Sequence, residues 1–199
     1  MNTSLLQGGE EDDLRSAAQL LREGEVIGVP TETVYGLAAR ADDSGAVDRI
    51  YELKGRPREK KLTRLIPDPS AWRGHVSDLP ATAAALADRF WPGPLTLVVP
   101  GKGGGTVGLR CPDMDVTRRV LRLAEVAVVA PSANLSGEPP AVTASEVLDV
   151  FEGRIPAVVD GGRARMEVSS TVVQVDADGS LAILRRGAVS EDEVRAAAG

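Results

Sequence analysis

The chain has 199 residues, enough for one compact domain, and its 43% apolar and 26% charged residues are typical of globular proteins. A formal net charge of −6 disfavours broad attachment to nucleic acid or anionic lipid. One cysteine and one histidine are too few for a disulfide framework or a Cys/His zinc site.

No apolar stretch reaches the roughly 20 residues of a membrane helix. The first residues also lack the basic and apolar regions of a secretory signal. We therefore expect a cytoplasmic protein that does not contact a membrane.

The first predicted elements are a helix and two extended segments. Residues 1–11 form an acidic segment that we place before the domain. Apolar residues at helical spacing then predict a helix over residues 11–23, with Gly24 as its C-terminal cap. Extended structure is predicted over residues 26–29 and 34–38.

A second helix is predicted over residues 45–53, with Asp43 or Ser44 as its N-terminal cap. Further strands and helices follow in alternation. The predicted strands comprise residues 62–66, 95–99, 107–111, 126–130, 157–159, 170–175 and 181–184. The predicted helices comprise residues 81–90, 116–124 and 144–151, and a C-terminal helical tail over 191–199 begins after Ser190.

This alternation predicts an α/β fold in which one twisted sheet is flanked by helices. The turn at residues 176–179 lies between two adjacent strands and predicts a hairpin, so the sheet is expected to be mixed. No linker or repeat divides the chain, and we expect a single domain over residues 12–190.

The glycines at 103, 105 and 108 match the dinucleotide-binding fingerprint in letters only. That fingerprint requires a helix after the glycines, whereas a strand is predicted here. We interpret the segment as a flexible loop.

The segment of residues 54–61 is strongly basic, with five cations and one glutamate directly after a helix. In an acidic chain it is a candidate polyphosphate site, where Arg56 could grip phosphate oxygens while Lys54 acts as a point charge. The alternative is a solvated helix end, where cations also favour the helix dipole.

A second candidate site follows the apolar segment 126–130, where Ser132 and Asn134 could orient a phosphate or a nucleobase. Such residues also form turns by bonding their own backbone. Thr31 and Thr33 at another strand end could bind a polar ligand or cap the turn.

Arg110 alternates out of an apolar strand, and burying it requires an anionic partner. That partner could be a substrate carboxylate or an internal Asp or Glu. Cys111 lacks a histidine partner, so we interpret it as a core residue and His75 as a surface residue.

Several of these segments together resemble the YrdC-like family, in the family's order and over residues 12–190. The motifs are Pro-Thr-Glu-Thr-Val-Tyr-Gly-Leu at 30–37, Lys-Gly-Arg-Pro at 54–57, Trp-Pro-Gly-Pro-Leu-Thr at 91–96, Leu-Arg-Cys-Pro at 109–112, Pro-Ser-Ala-Asn-Leu-Ser-Gly at 131–137, Ser-Ser-Thr-Val-Val at 169–173 and Ile-Leu-Arg-Arg-Gly at 183–187.

The resemblance implies a YrdC-like fold and the activity of a threonylcarbamoyl-AMP synthase. Such enzymes combine L-threonine, bicarbonate and ATP and release pyrophosphate, and partner proteins then transfer the threonylcarbamoyl group to tRNA. The length matches the family's single-domain form. Magnesium is expected to arrive with ATP, because the sequence shows no carboxylate cluster to hold it.

The resemblance also assigns site residues. It makes Lys54 and Arg56 catalytic. The residues that it implies for ATP binding are Lys54, Arg56, Lys60, Thr106, Ser132, Asn134 and Arg185. Those implied for threonine binding are Thr33 and Arg110. Leu65 and Ala130 depart from the family's pattern near the threonine site.

Two other functions fit the same resemblance. One is a non-catalytic module that binds double-stranded RNA or tRNA, which the acidic net charge disfavours. The other is a paralogue that performs a different carbamoyl or adenylyl transfer; the known chains of that kind are far longer and carry zinc-type cysteine motifs absent here.

Overall fold

The computed structural model describes residues 2–77 and 80–199. Its strands are β1 (Ser4–Gln7), β2 (Ile27–Val29), β3 (Gly36–Arg40), β4 (Thr63–Leu65), β5 (Leu95–Pro100), β6 (Thr106–Arg110), β7 (Val128–Val129), β8 (Ala157–Asp160), β9 (Thr171–Val175) and β10 (Leu181–Arg185). Its helices are α1 (Glu11–Arg22), α2 (Ser44–Lys54), α3 (Ala81–Phe90), α4 (Asp115–Ala124), α5 (Ala144–Phe151) and α6 (Glu191–Ala198), with a 3₁₀ turn at Pro69–Gly74.

The strands form one ten-stranded sheet in the order β1-β8-β2-β3-β7-β4-β6-β5-β9-β10. Its strand pairs are of both kinds: β1–β8, β2–β8 and β4–β6 are parallel, whereas β5–β6 is antiparallel. The predicted α/β class and mixed sheet are therefore confirmed.

The two halves of the sheet are covered differently. In the spatial order of the strands, the half from β1 to β7 has α2 and α5 against one face and α1 and α4 against the other. Each face has its own apolar cluster. The half from β6 to β10 packs Leu97, Leu109 and Val173 against α3 and α6. Because side chains alternate along a strand, their neighbours Thr96, Arg110 and Val172 point to the opposite face.

Most of the predicted elements form within a residue or two of their expected bounds. The Asp43 side chain caps α2 by accepting from the Ala46 amide, 3.1 Å away, and Ser190 forms a full capping box with Glu193. The predicted hairpin joins β9 and β10 and turns through Gly179 in a left-handed conformation, φ +84°.

The sheet extends beyond the segment that we expected to carry it. β1 falls within the acidic segment 1–11 and adds an edge strand to β8, and α6 buries Val194 in the core beneath α3. The domain limits at residues 12 and 190 stay a prediction, but both flanking segments pack onto the sheet. Among the described residues, no helix is both long and apolar enough to cross a membrane.

Candidate functional site

A cleft opens on the sheet face that α3 and α6 leave uncovered. Strand register builds its floor: Leu65 pairs with Arg110, and the β5–β6 register continues from Leu97–Leu109 to place Thr96 beside Arg110. Loops form its walls. The lining residues are Val34, Arg56, Lys61, Thr63, Leu65, Thr96, Arg110, Ala130, Pro131, Ser132, Ser169, Ser170 and Arg185.

Four cationic side chains line this cleft, namely Arg56, Lys61, Arg110 and Arg185, and no carboxylate of the described residues does. The Arg185 guanidinium has its pKa lowered by burial and by the charges of Arg110 and Arg56. Arginines held close enough to repel one another are stabilised when an anion lies between them. The cleft is therefore suited to a polyanionic ligand.

Arg110 has an internal acidic partner. Its Nη2 lies 2.8 Å from Oε1 of Glu32, and the two side chains are only 8% and 1% exposed. Its Nε donates to the Gly93 carbonyl oxygen at 3.2 Å. Of the two partners that the sequence allowed, the internal glutamate is present as an ion pair. Among the described residues, neither Arg110 Nη2 nor the Glu32 carboxylate has a hydrogen-bond partner, so the Gly93 carbonyl oxygen orients the guanidinium.

Arg185 is held at one wall of the cleft by Ser170. Its Nε and Nη2 donate to the Ser170 carbonyl oxygen at 3.2 and 2.8 Å, and Nη2 lies 3.1 Å from the Ser170 hydroxyl. That hydroxyl in turn shares a 2.8 Å hydrogen bond with Thr96. The chain of contacts links β5, β9 and β10 across the cleft.

The basic loop after α2 is folded around Arg56. Nε of Arg56 donates to the Lys60 carbonyl oxygen at 3.0 Å, and Nη2 donates to that of Lys61 at 3.1 Å. Nζ of Lys61 donates to the Thr106 hydroxyl at 3.1 Å. Lys60 itself is exposed and does not line the cleft.

Lys54 is the most deeply buried lysine of this region, at 2% exposure. Its Nζ donates to the carbonyl oxygens of Ser132 and Asn134 and to the Asn134 Oδ1, the last two at 2.7 and 3.2 Å. All three ammonium protons thus bind the loop after β7. Burial, and secondarily the charge of Arg56, lowers the pKa of Lys54 to about 8.

Asn134 completes this loop. Its Oδ1 accepts from the Ser132 hydroxyl at 2.6 Å, and its Nδ2 donates to the carbonyl oxygens of Leu135 and Glu138, both at 2.7 Å. The turn-forming alternative therefore describes Asn134. Ser132 takes part in the same turn through its hydroxyl and also lines the cleft.

Thr33 is fully buried, and its hydroxyl lies 2.8 Å from that of Thr31. The Thr31 hydroxyl donates to the Val34 carbonyl oxygen at 2.5 Å, so both threonines brace the turn between β2 and β3. Cys111 is buried in the core as expected, and burial raises the pKa of its thiol to about 11. His75, predicted on the surface, is half-buried against Arg64.

The structure gathers most of the predicted site residues around one cleft, although the roles assigned to them stay predictions. Arg56, Arg110, Ser132 and Arg185 line it directly. The other predicted residues support or border it: Lys54 and Asn134 hold the loop of Ser132, Thr106 binds Lys61, Lys60 binds Arg56 through its backbone, and Thr33 lies behind Val34.

Sequence reasoning gave no role to Glu32, Thr96 or Ser170, and it counted Lys61 only as one cation of the basic segment. Each lies in or beside a motif quoted above, but only the register and loop contacts show that it reaches the cleft or Arg110. A glutamate between two threonines after a strand was the available signal for an internal partner of Arg110.

The cleft does not offer a protein-built metal centre. Among the described residues, no group of three His, Cys, Asp or Glu side chains is placed to hold a metal ion. The cleft's polar groups are cations, hydroxyls and backbone, which fit phosphate oxygens rather than Mg²⁺. The fold and site together define an α/β protein with a cationic cleft suited to a polyanion.

The Sua5/YciO/YrdC family model, described as "Telomere recombination", matches residues 19–187, and the chain belongs to this family. It is 40% identical over 194 residues to a Pyrococcus abyssi protein named threonylcarbamoyl-AMP synthase, covering 93% of this chain and 57% of that protein. A Bacillus subtilis protein of the same name is also 40% identical, with 95% of this chain and 57% of that protein covered.

A solved structure of Pyrococcus abyssi Sua5 complexed with L-threonine superposes with a TM-score of 0.92 at 37% identity. The superposition covers 98% of this chain and 61% of that one. The chain therefore spans a little over half the length of the two curated relatives that it matches at 40% identity.

Proposed function

We propose that this protein is a threonylcarbamoyl-AMP synthase that uses L-threonine, bicarbonate and ATP. The observation that carries the proposal is the cleft itself, in which Arg56, Lys61 and Arg185 surround a floor that bears Arg110. Three cations suit a triphosphate, and a fourth suits a carboxylate. The names of the relatives and the threonine complex of Pyrococcus abyssi Sua5 support the same assignment.

In the proposed reaction, the deprotonated threonine amine first attacks the carbon of bicarbonate, with loss of water, or that of carbon dioxide, with loss of a proton, and becomes a carbamate. A carbamate oxygen then attacks the α-phosphorus of ATP, the bond from that phosphorus to the β-phosphate oxygen breaks, and pyrophosphate leaves with the electron pair. Such transfers depend on positioning and on stabilising charge at the phosphates. Arg56 and Arg185 supply that charge from opposite walls of the cleft.

Arg110 would receive the threonine carboxylate. Glu32 and Gly93 hold it through Nη2 and Nε, which leaves Nη1 for a ligand. Leu65 lies next to Arg110 in the sheet and offers an apolar wall to the threonine methyl group. Thr33 would act from behind this wall by fixing the turn before β3.

Ser132 would contact the nucleotide with its hydroxyl, because it faces the cleft while Asn134 does not. Lys54 and Asn134 would then act as positioning residues for the Ser132 loop. Lys60 and Thr106 would act in the same way on Arg56 and Lys61. Magnesium would enter as the ATP complex, held by phosphate oxygens rather than by protein ligands.

The product would pass to partner proteins that modify tRNA in the cytoplasm. Weak direct contact with tRNA is compatible with this role, since the cleft and its rim are cationic. The alternative of a non-catalytic RNA-binding module has no observation of its own in its favour. A concave cleft with a few placed polar groups, such as the buried arginine at its floor, supports a small-molecule site.

The decisive experiment incubates the purified protein with L-threonine, ¹³C-bicarbonate and Mg·ATP and detects labelled threonylcarbamoyl-AMP by mass spectrometry. Pyrophosphate release should require both threonine and bicarbonate. Arg110→Met should abolish the threonine-dependent release of pyrophosphate, whereas Arg165→Met, which removes an exposed ion pair with Asp113, should not. ATP turnover that ignores threonine would refute the proposal and favour another adenylyl transfer.

A further inference from the structure

A second cationic groove lies on the reverse face of the sheet. Because Arg64 follows Thr63 in β4, the two side chains point to opposite faces, and Arg64 lies across from the cleft. The groove runs between α2 and the β5–β6 turn. Its lining includes the four basic residues Lys61, Arg64, His75 and Lys102, and no acidic side chain of the described residues.

Backbone contacts fix this cluster in place. The Lys102 amide donates to the His75 carbonyl oxygen at 3.1 Å, and the Ser77 amide donates to that of Pro100 at 3.3 Å. The segment at His75 is thereby joined to the turn that carries Lys102. Nη1 of Arg64 lies 3.4 Å from Nδ1 of His75, so the two side chains are in direct contact.

The charges that face His75 are mainly positive. Burial, followed by Arg64 and Lys102, lowers the pKa of its imidazole. On the other side of the ring, Arg122 and Glu125 border the adjoining groove, and the carboxylate of Asp68 pairs with Arg122. Asp42, the acidic residue that Arg64 influences, is bound to Arg40. Glu125 lines that adjoining groove together with Arg64 and His75, but no carboxylate of the described residues forms an ion pair with the trio of Arg64, His75 and Lys102.

Lys61 connects the groove with the cleft, because it lines both. Its ammonium is bound to the hydroxyl and the carbonyl of Thr106 at the start of β6, on the rim between the two faces. An anion that leaves the cleft past Lys61 would therefore meet the trio next.

We propose that Arg64, His75 and Lys102 form a second anion site that takes inorganic pyrophosphate as it leaves the cleft. The origin of the pyrophosphate rests on the proposed function, but the binding site does not. A compact dianionic or trianionic ligand fits two cations and an imidazole grouped at one turn better than an extended polyanion would, and the net charge of −6 opposes an extended one.

The test uses the one histidine of the chain as its own reporter. The pH titration of the His75 ring protons is followed by NMR, without ligand and with millimolar pyrophosphate. An anion within about 4 to 6 Å raises the pKa of an imidazole by about 1 unit or more. We expect such a rise with pyrophosphate and none with AMP, which lacks the β- and γ-phosphates.

Variants locate the effect. Arg64→Gln and Lys102→Gln should each weaken pyrophosphate binding to His75 by about tenfold, since each removes one charge-assisted contact. Arg15→Gln, an exposed arginine on α1, serves as the control. Arg56→Gln weakens the cleft and should leave the His75 response intact.

Three results would overturn the site: an unchanged His75 titration in pyrophosphate, equal responses in Lys102→Gln and the wild type, or loss of the response in Arg56→Gln. A response to ATP without one to pyrophosphate would also overturn it, because the ligand would then be the bound nucleotide. A protein that makes no threonylcarbamoyl-AMP but passes these tests would refute only the proposed function.

Discussion

At the scale of single residues, the buried ion pair of Glu32 and Arg110 is the contact of the site whose disruption should cost the most stability. Both side chains are almost sealed from solvent. Removing one member of such a pair leaves an uncompensated charge inside the protein, which costs several kcal/mol, whereas exposed pairs contribute little.

We expect Glu32→Ala to lower the free energy of unfolding by about 3 kcal/mol or more, measured by urea denaturation. Asp113→Ala, which breaks the exposed pair with Arg165, should cost less than about 1 kcal/mol. The double variant Glu32→Leu, Arg110→Met should regain much of the loss, because it removes both charges. Equal effects of Glu32→Ala and Asp113→Ala would contradict the burial argument.

Arg56 and Arg58 belong to one loop but differ in surroundings. Arg56 lines the cleft, whereas Arg58 pairs with the exposed Asp48 and stacks on Tyr51. Arg56→Ala should weaken ATP binding by about tenfold or more through the loss of charge-assisted contacts, while cooperative unfolding is kept. Calorimetric titration with ATP measures this, and an equal loss in Arg58→Ala would assign the effect to general loop charge.

Lys54 gives the site a pH dependence. Its pKa of about 8 lies below the ordinary value of 10.5, so it loses its charge and one of three hydrogen bonds near pH 8. ATP affinity should therefore fall as the pH rises from 7 to 9. Lys54→Arg should remove this fall, since a guanidinium stays protonated there.

Unfolding does not account for that fall. Between about pH 8 and 10 the unfolded lysine holds a proton that the folded one has released, so the contribution of Lys54 to stability rises with pH in this window. Affinity and stability are thus expected to move in opposite directions, and thermal melts alongside the ATP titrations would show whether they do.

At the scale of elements, the strand end at Gly187 determines the shape of the wall that carries Arg185. A Cβ at this glycine would lie 2.5 Å from the Ser170 carbonyl carbon and 2.6 Å from its oxygen. The same carbonyl anchors Arg185. The close approach of these two segments is therefore part of the site.

Gly187→Ala should displace the Ser169–Ser170 segment, lower stability by about 1 to 3 kcal/mol and weaken ATP binding. Gly9→Ala is the matched control, because no atom lies within 4 Å of a Cβ built there. Chemical denaturation and ATP titration measure the two effects. Retained ATP affinity in Gly187→Ala would show that the segment tolerates displacement.

Elements with strong apolar periodicity could be predicted from the sequence, as α1 and α5 illustrate. β1 could not, because Ser4–Gln7 is short and mostly exposed and is a strand only through its pairing with β8. In the site, the basic loop and the Ser132 segment were predictable from residue types. The roles of Glu32 and Lys61 were not, since they depend on register and on contacts distant in sequence.

At the scale of the whole molecule, the protein is acidic while its cleft and the adjoining groove are basic. Few phosphate contacts are available to a nucleic acid. Binding to tRNA should therefore be weak near physiological salt and should weaken further as salt rises, because it rests on phosphate contacts. Fluorescence anisotropy with labelled tRNA at two salt concentrations measures this, and tight, salt-insensitive binding would favour the RNA-binding alternative.

The pairing of β1 with β8 also governs the order in which the molecule is assembled. Thr3, just before β1, bonds the carbonyl of Ile155, which is 152 residues later. At about 5 to 20 residues per second, the ribosome adds that length in about 10 to 30 s. Of the ten strands, β1 thus waits longest for its partner. Throughout that interval the nascent chain presents an open strand edge, the surface on which chains most readily associate with one another.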